Sequence, residues 1–287
     1  MTLTFTTGVR TSEGLAALDA EPTRLVETLD GICTRWAEST GAGALTVPPL
    51  LPVADLAGLD VFENFPQLAL VSSALDVSTA GTDRIGQEAA SGHFGAGTLG
   101  PAGLALPSSA CYGVYLHHRN REVPEEGALV TVLGQCFRNE DHFDGLRRLK
   151  AFRMREVVAL GTPEQMSAHL ERSARFIGTL AEEIGLPLER RTASDPFYDR
   201  TSDRATFQQV VPVKYEYVYQ DLAIASVNTH YTFFGERCSI ALPGGAAAST
   251  SCVGFGVERW LHALADHFDG DWDRAQDAVE RAGKSLF

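Results

Sequence analysis

CFRNE (residues 136–140) and RLKAFRMRE (residues 148–156) decide how this chain is read. The first closes the run GALVTVLGQCFRNE and the second opens AFRMREVVALG; both runs are rich in β-branched and apolar residues, and a short polar and basic loop joins them. Side chains of a strand alternate between its two faces, so Arg138 and Glu140 share a side of one strand while Phe152, Met154 and Glu156 share a side of the next. One sheet face then presents a guanidinium, an aromatic ring and carboxylates. Spacing alone leaves two readings open, a solvated sheet face or a ligand site.

Outward from this pair, PTRLVETLDGICTRWAES (22–39) spaces Leu25, Leu29, Ile32 and Trp36 as an amphipathic helix. ALTVPPLLPVADL follows, and its prolines, Pro48, Pro49 and Pro52, suit an edge strand rather than a central one. ASGHFGAGTLGPAGLALPS (90–108) reads as a loop, and CYGVYLHH reads as a strand paired with GALVTVLGQCFRNE across RNREVPEE. Thr162 caps a helix over PEQMSAHLERSARFIGTLAEEIG, which with LPLERRTASDPFYDRTSDRA predicts an inserted helical subdomain over 162–205 within a single 1–287 domain. Strands are expected again in FQQVVPVKYEYVYQ, DLAIASVN and CSIALP, before closing helices in GVERWLHALADHF and DRAQDAVERAGKSL. Strands grouped around late helices, without βαβ alternation, predict an α+β class with an antiparallel sheet.

The bulk numbers narrow the function. With 287 residues and 44% apolar content, the chain can bury the core of one large domain. A net charge of −13 opposes a polyanionic partner such as tRNA, whose phosphates need clustered Lys and Arg. No apolar run reaches the roughly 20 residues that span a bilayer, and the start MTLTFTTGVRTSEG has no signal-peptide pattern, so the expectation is a cytoplasmic protein without membrane attachment. Cys33, Cys111, Cys136, Cys238 and Cys252 lie far apart, with no disulfide framework.

CFRNE with the aromatic strand after it resembles motif 2 of the class II aminoacyl-tRNA synthetases, and GFGVERW (Gly254, Gly256, Arg259) resembles motif 3. The Pro48–Pro49 pair resembles motif 1, which implies a homodimer. The resemblance implies a synthetase-like antiparallel sheet flanked by helices. It gives Arg138 the α-phosphate of ATP and the substrate carboxylate, Phe152 the adenine, and Arg259 the γ-phosphate, with Glu140 beside them. A guanidinium suits these tasks because its planar fork clamps phosphate oxygens.

Within that class the chain resembles the zinc-dependent seryl-type enzymes, and among them the amino acid:[carrier protein] ligases. LPSSACYGVY, FRMREVV and STSCVGFG carry this likeness, which implies Zn2+ on Cys111, Glu156 and Cys252, ligands whose wide spacing alone would not reveal a site. It also implies Mg2+ with ATP, for which Glu216 and Asp221 are candidate carboxylates, and an amino-acid pocket near Asp195, Lys214, Asn228 and Arg237. The implied activity is ATP-dependent activation of a small amino acid, glycine or alanine favoured, as an aminoacyl adenylate, and transfer to the phosphopantetheine thiol of a holo carrier protein. The 162–205 helix, with Arg172 and Arg175, would help dock the carrier. The segment before Pro48 shows no sustained heptads of a tRNA-binding arm. Two rivals stay open: a truncated seryl-type tRNA-charging enzyme, and a non-catalytic synthetase-like binding protein.

Overall fold

Seven strands of one sheet carry the site: β1 (Gly43–Ala44), β2 (Ala128–Phe137), β3 (Ala151–Gly161), β4 (Glu189–Ala193), β5 (Lys214–Tyr219), β6 (Leu222–Tyr231) and β7 (Ser249–Gly256). The structure, a computed structural model, describes residues 5, 6 and 8–287. The strands run in the order β4-β5-β6-β7-β3-β2-β1, with β1 and β2 parallel and every other neighbouring pair antiparallel. The α+β antiparallel architecture expected from the sequence is therefore present.

Register decides which side chains meet. Glu156 on β3 lies opposite Gly254 on β7 and Val132 on β2, and Val158 lies opposite Cys252. On β6, Ser226 and Asn228 lie opposite Gly254 and Cys252. These residues share the front face of the sheet, while Val157, Val253, Phe255, Val227 and Tyr217 point to the back.

Helices α1 (Ala20–Ser39), α2 (Cys111–His117), α3 (Pro163–Ile184), α4 (Asp203–Val210), α5 (Phe233–Arg237), α6 (Val257–His267) and α7 (Trp272–Leu286) complete the framework. The back face is covered by α1, α3, α6 and α7, whose apolar stripes bury Leu25, Trp36, Ile177, Leu180, Trp260 and Leu264. Trp36 stacks on Phe176 at 4.3 Å, with Phe255 edge-on to both. Arg155 of β3 leaves this core through a bidentate ion pair to Asp30 of α1, both bonds 2.7 Å, which ties the first helix to the central strands. On the front, α2 and α5 cover the far half of the sheet through Tyr115 and Phe234, stacked at 4.0 Å.

The structure changes three expectations. CYGVYLHH is not a strand but helix α2, and FQQV ends helix α4, capped by Ser202, whose Oγ accepts from Ala205 N. In α2, residues 111–115 are all buried; an element apolar on every side gives no periodic signal, so tertiary burial decides its form. CSIALP is a loop holding isolated bridges at Ala241. Residues 162–205 hold one long helix, a sheet strand and the start of α4. Their long helix α3 belongs to the main core on the back face through Phe176, Ile177, Leu180 and Ile184, and β4 is the edge strand of the main sheet. The start of α3 is a capping box, with Thr162 N donating to Gln165 Oε1 at 2.8 Å and Gln165 N to Thr162 Oγ1 at 3.3 Å.

Candidate active site

The front face holds a buried cluster of Cys111, Glu156 and Cys252, whose donor atoms all lie within 4.8 Å of one another. Three distant segments meet here because β3 and β7 are neighbours and the start of α2 lies on β2. Gly134 permits that approach: a methyl group there would collide with the Cβ of Ala110. The Ala110 N–H donates to Glu156 Oε1 at 3.1 Å and the Ser109 hydroxyl donates to the same oxygen at 3.2 Å. Glu156 Oε2 is buried with no partner among the described residues.

Burial first, and the nearby Cys252 second, push the Glu156 carboxyl up to about 8. Cys252 is held well below the ordinary range, chiefly by its hydrogen bond from Cys111, and the same bond, with burial, raises Cys111. Asn228 Nδ2 donates to Cys252 Sγ at 3.5 Å, and His230 Nε2 lies 3.9 Å from the same sulfur. Two thiols and one carboxylate are a donor set suited to Zn2+, and a cation among them would satisfy the orphaned carboxylate oxygen and the paired sulfurs.

A second group of residues borders the cluster at the near end of the strands. Arg138 lies over the Phe152 ring, 5.0 Å from its centroid, and its guanidinium donates to Ser108 O at 3.3 Å. Arg259 donates to the backbone oxygens of Arg147 and Ala223, both at 3.0 Å, and has no carboxylate partner among the described residues. Burial, then repulsion from Arg138, bring its pKa down to about 10, so two guanidiniums converge on one recess. Glu140 is paired with Arg148 at 2.7 Å and lines this recess with Glu216.

Met154, Lys214, Ser226, Gly254 and Arg138 border both the recess and a larger cavity of about 610 Å³ that reaches Cys111, Glu156 and Cys252. Lys214 and Asp195 line this cavity as an ion pair at 3.2 Å, with Glu216 also 3.2 Å from the ammonium. Burial alone would lower the Lys214 pKa, but the two carboxylates outweigh it and raise it. The mouth is rimmed by Arg204, Phe207, Tyr231 and Phe233, with Arg204 stacked 3.9 Å over the Phe233 ring.

Eleven of the thirteen residues singled out from the sequence as site residues line the recess or the adjoining cavity: Cys111, Arg138, Glu140, Phe152, Glu156, Asp195, Lys214, Glu216, Asn228, Cys252 and Arg259. Asp221 does not. It sits in the tight turn between β5 and β6, exposed, with both oxygens on Arg147 Nη2 at 2.9 and 2.8 Å. Arg237 also falls outside, ion-paired with Asp60. Conversely, Glu258, Ser226, His230 and Arg204 border the cavity without having been singled out. Glu258 accepts from Arg153 N and Nε, both at 2.8 Å, and lay within the GFGVERW stretch already quoted, so a period-aware reading could have found it. His230 has no local signal; it falls at the irregularity of β6 between Thr229 and Tyr231, two residues past the partner of Cys252.

No protein-family model matches the chain. It is 35% identical over 268 residues, 88% of this chain and 79% of the relative, to amino acid–[acyl-carrier-protein] ligase 1 of Bradyrhizobium diazoefficiens. It is 31% identical to the ligase 2 of the same organism, over 84% of this chain and 74% of that one. Among solved structures it is similar to M. kandleri SerRS in complex with A. aeolicus tRNASec, with a TM-score of 0.76 and 20% identity over 90% of this chain. This chain spans 54% of that synthetase, and the likeness shows a shared class II synthetase fold.

Proposed function

The chain belongs to the amino acid–[acyl-carrier-protein] ligase family, and from that membership we propose that it activates a small amino acid with ATP and passes it to the phosphopantetheine thiol of a carrier protein. The observation that carries the reading is that the cavity reaching the Cys111–Glu156–Cys252 cluster adjoins the Arg138–Phe152–Arg259 recess, with Arg138, Met154, Lys214, Ser226 and Gly254 lining both. Amine recognition and phosphate recognition are thereby set side by side, as an amino acid and the α-phosphate it attacks require.

In this reading Phe152 supports the adenine, Arg138 bridges the α-phosphate and the substrate carboxylate, and Arg259 holds the terminal phosphates. The amino-acid carboxylate attacks the α-phosphorus, the bond to the bridging oxygen of the β-phosphate breaks, and pyrophosphate leaves. The guanidiniums stabilise charge growing on the phosphate oxygens, and no side chain acts as a covalent nucleophile. Cys111, Glu156 and Cys252 would hold Zn2+, which would supply a Lewis acid to bind the substrate amine. Lys214, Asp195 and Asn228 line the amino-acid pocket, and Glu140 and Glu216, with Glu258 nearby, are the carboxylates we assign to the Mg2+·ATP end; Asp221 is excluded by its pairing with Arg147. In the second half-reaction the carrier thiol attacks the acyl carbon, AMP departs, and an aminoacyl thioester forms.

Carrier docking is assigned to the cavity mouth, where Phe207, Val210 and Tyr231 expose apolar surface. Arg172 and Arg175 of α3 lie on the other side of the sheet, from which a tethered thiol would not meet the cavity. The net charge of −13 supports a protein rather than tRNA as acceptor.

The test is amino-acid-dependent ATP–pyrophosphate exchange over the small amino acids, with and without a chelator. Selective, chelator-sensitive exchange is expected, with glycine or alanine preferred. Arg138→Ala should lower exchange by about 100- to 1,000-fold while metal content stays that of the wild type. No exchange with any amino acid in the zinc-loaded protein would overturn the proposal in favour of a binding protein.

A further inference from the structure

His230 is set into the wall of the cavity by contacts that fix its ring before any ligand is considered. Its ring is edge-on to Phe234, with centroids 5.0 Å apart, and edge-on to Tyr115 at 6.0 Å. Two hydroxyls meet its Nδ1, Tyr115 Oη at 3.2 Å and Thr250 Oγ1 at 3.3 Å. Its other nitrogen, Nε2, faces Cys252 Sγ at 3.9 Å.

A neutral imidazole has one N–H and one lone pair, and the partner of one nitrogen determines the role of the other. Tyr115 is buried in an apolar setting, and a phenol is a better donor than acceptor; its natural partner here is the Nδ1 lone pair. Nδ1 then accepts, the proton resides on Nε2, and the ring aims an N–H at the sulfur. Asn228 Nδ2 aims a second N–H at that sulfur from 3.5 Å. Cys111 has no equivalent nitrogen donor among the described residues: its neighbour is the Ser109 hydroxyl at 3.1 Å. The two sulfurs therefore differ, and the one on β7 is the one that faces nitrogen donors.

We propose that His230 is a positioning residue for the metal centre, a hydrogen-bond donor to the Cys252 thiolate whose tautomer is locked by Tyr115 and Thr250. The inference rests on the reading of Cys111, Glu156 and Cys252 as metal ligands. Its effect is to hold the Cys252 sulfur in the ligand orientation and to moderate how much electron density the sulfur gives the metal, as partners behind a ligand generally do.

The experiment loads the full-length protein with Co2+, whose sulfur-to-metal charge-transfer absorption reports each thiolate directly, and measures the Co2+ and Zn2+ dissociation constants by competition with a chromophoric chelator. His230→Phe keeps a ring against Phe234 and removes the donor. It should weaken metal binding about 10- to 100-fold and move the charge-transfer band to longer wavelength, because a sulfur without its hydrogen bond is easier to oxidise. His230→Gln, which retains an N–H donor, should recover part of both changes. Tyr115→Phe should shift the band in the same direction by a smaller amount, and it tests the tautomer lock even where His230→Phe lowers the yield of folded protein. Unchanged affinity and an unchanged band in both His230→Phe and Tyr115→Phe would overturn the inference. A wild-type protein that takes up no Co2+ or Zn2+ at all, or shows no thiolate band, would instead overturn the metal reading beneath it.

Discussion

Gly235, the third residue of α5, shows how closely single residues constrain this molecule. A Cβ there would fall on the backbone of Ala248, which leads into β7, and neither segment has a flexible end that could give way. Gly235→Ala is expected to lower stability by roughly 2–4 kcal/mol, read as a shift of the urea midpoint. Gly254→Ala is the contrast, because its new methyl would meet the mobile end of Met154 at 2.9 Å, and a cost below about 1.5 kcal/mol is expected. A larger cost at Gly254 than at Gly235 would contradict this account of the packing. Legibility at this scale followed the chain's own geometry. Arg138, Phe152 and Glu156 could be placed together because alternation on two adjoining strands determines their faces. Asp221 lay beyond that reasoning because a carboxylate in the two-residue turn between β5 and β6 can face either way, and Arg147 draws it outward.

Among the elements, α3 carries the clearest pH signature. His169 on its buried face is 2% exposed, with Nδ1 2.9 Å from Ser251 Oγ and Nε2 lacking a partner among the described residues. Burial, reinforced by the positive Arg172, depresses its pKa to about 3. The folded state thus prefers the neutral ring, and the sign follows: the stabilisation is complete above an unfolded value of about 6.5 and is lost progressively as pH falls from there toward 3. Between pH 7.5 and 5.5 the protein is expected to lose roughly 1 kcal/mol of stability through this group, and His169→Gln should flatten the unfolding-midpoint profile by that amount. Equal slopes in variant and wild type would show that His169 is not held neutral. The same helix illustrates what an element's sequence conveys. Thr162, Gln165 and the 3.6-residue apolar stripe announced its start, length and buried face. Whether it stood apart or packed on the sheet depended on partners elsewhere, chiefly Trp36 and Phe255. In α2 the reverse held: its aromatic and β-branched residues resemble a strand, and only enclosure on all sides makes them a helix.

For the whole molecule the open question is assembly. β1 is the outermost strand of the main sheet, and the Pro48–Pro49 stretch after it is exposed, so this edge is available to a second copy. Sedimentation equilibrium is expected to return twice the chain mass of 31.0 kDa; a monomer across micromolar concentrations would remove the homodimer from the proposed function. At this scale the sequence by itself determined the class of fold, most strand and helix positions on the central sheet, a net charge of −13, and the residue types of the site. These are local properties, since periodicity, caps and charge act within a few residues of chain. The tertiary structure alone decided that Cys111, Glu156 and Cys252 share one buried centre, that His230 stands behind it, and that α3 lies across the sheet from the cavity. Those facts depend on strand order and on the β3–β7 register, which arise from burying two faces of one sheet at once. No single segment contains that information, because each segment buries only its own side.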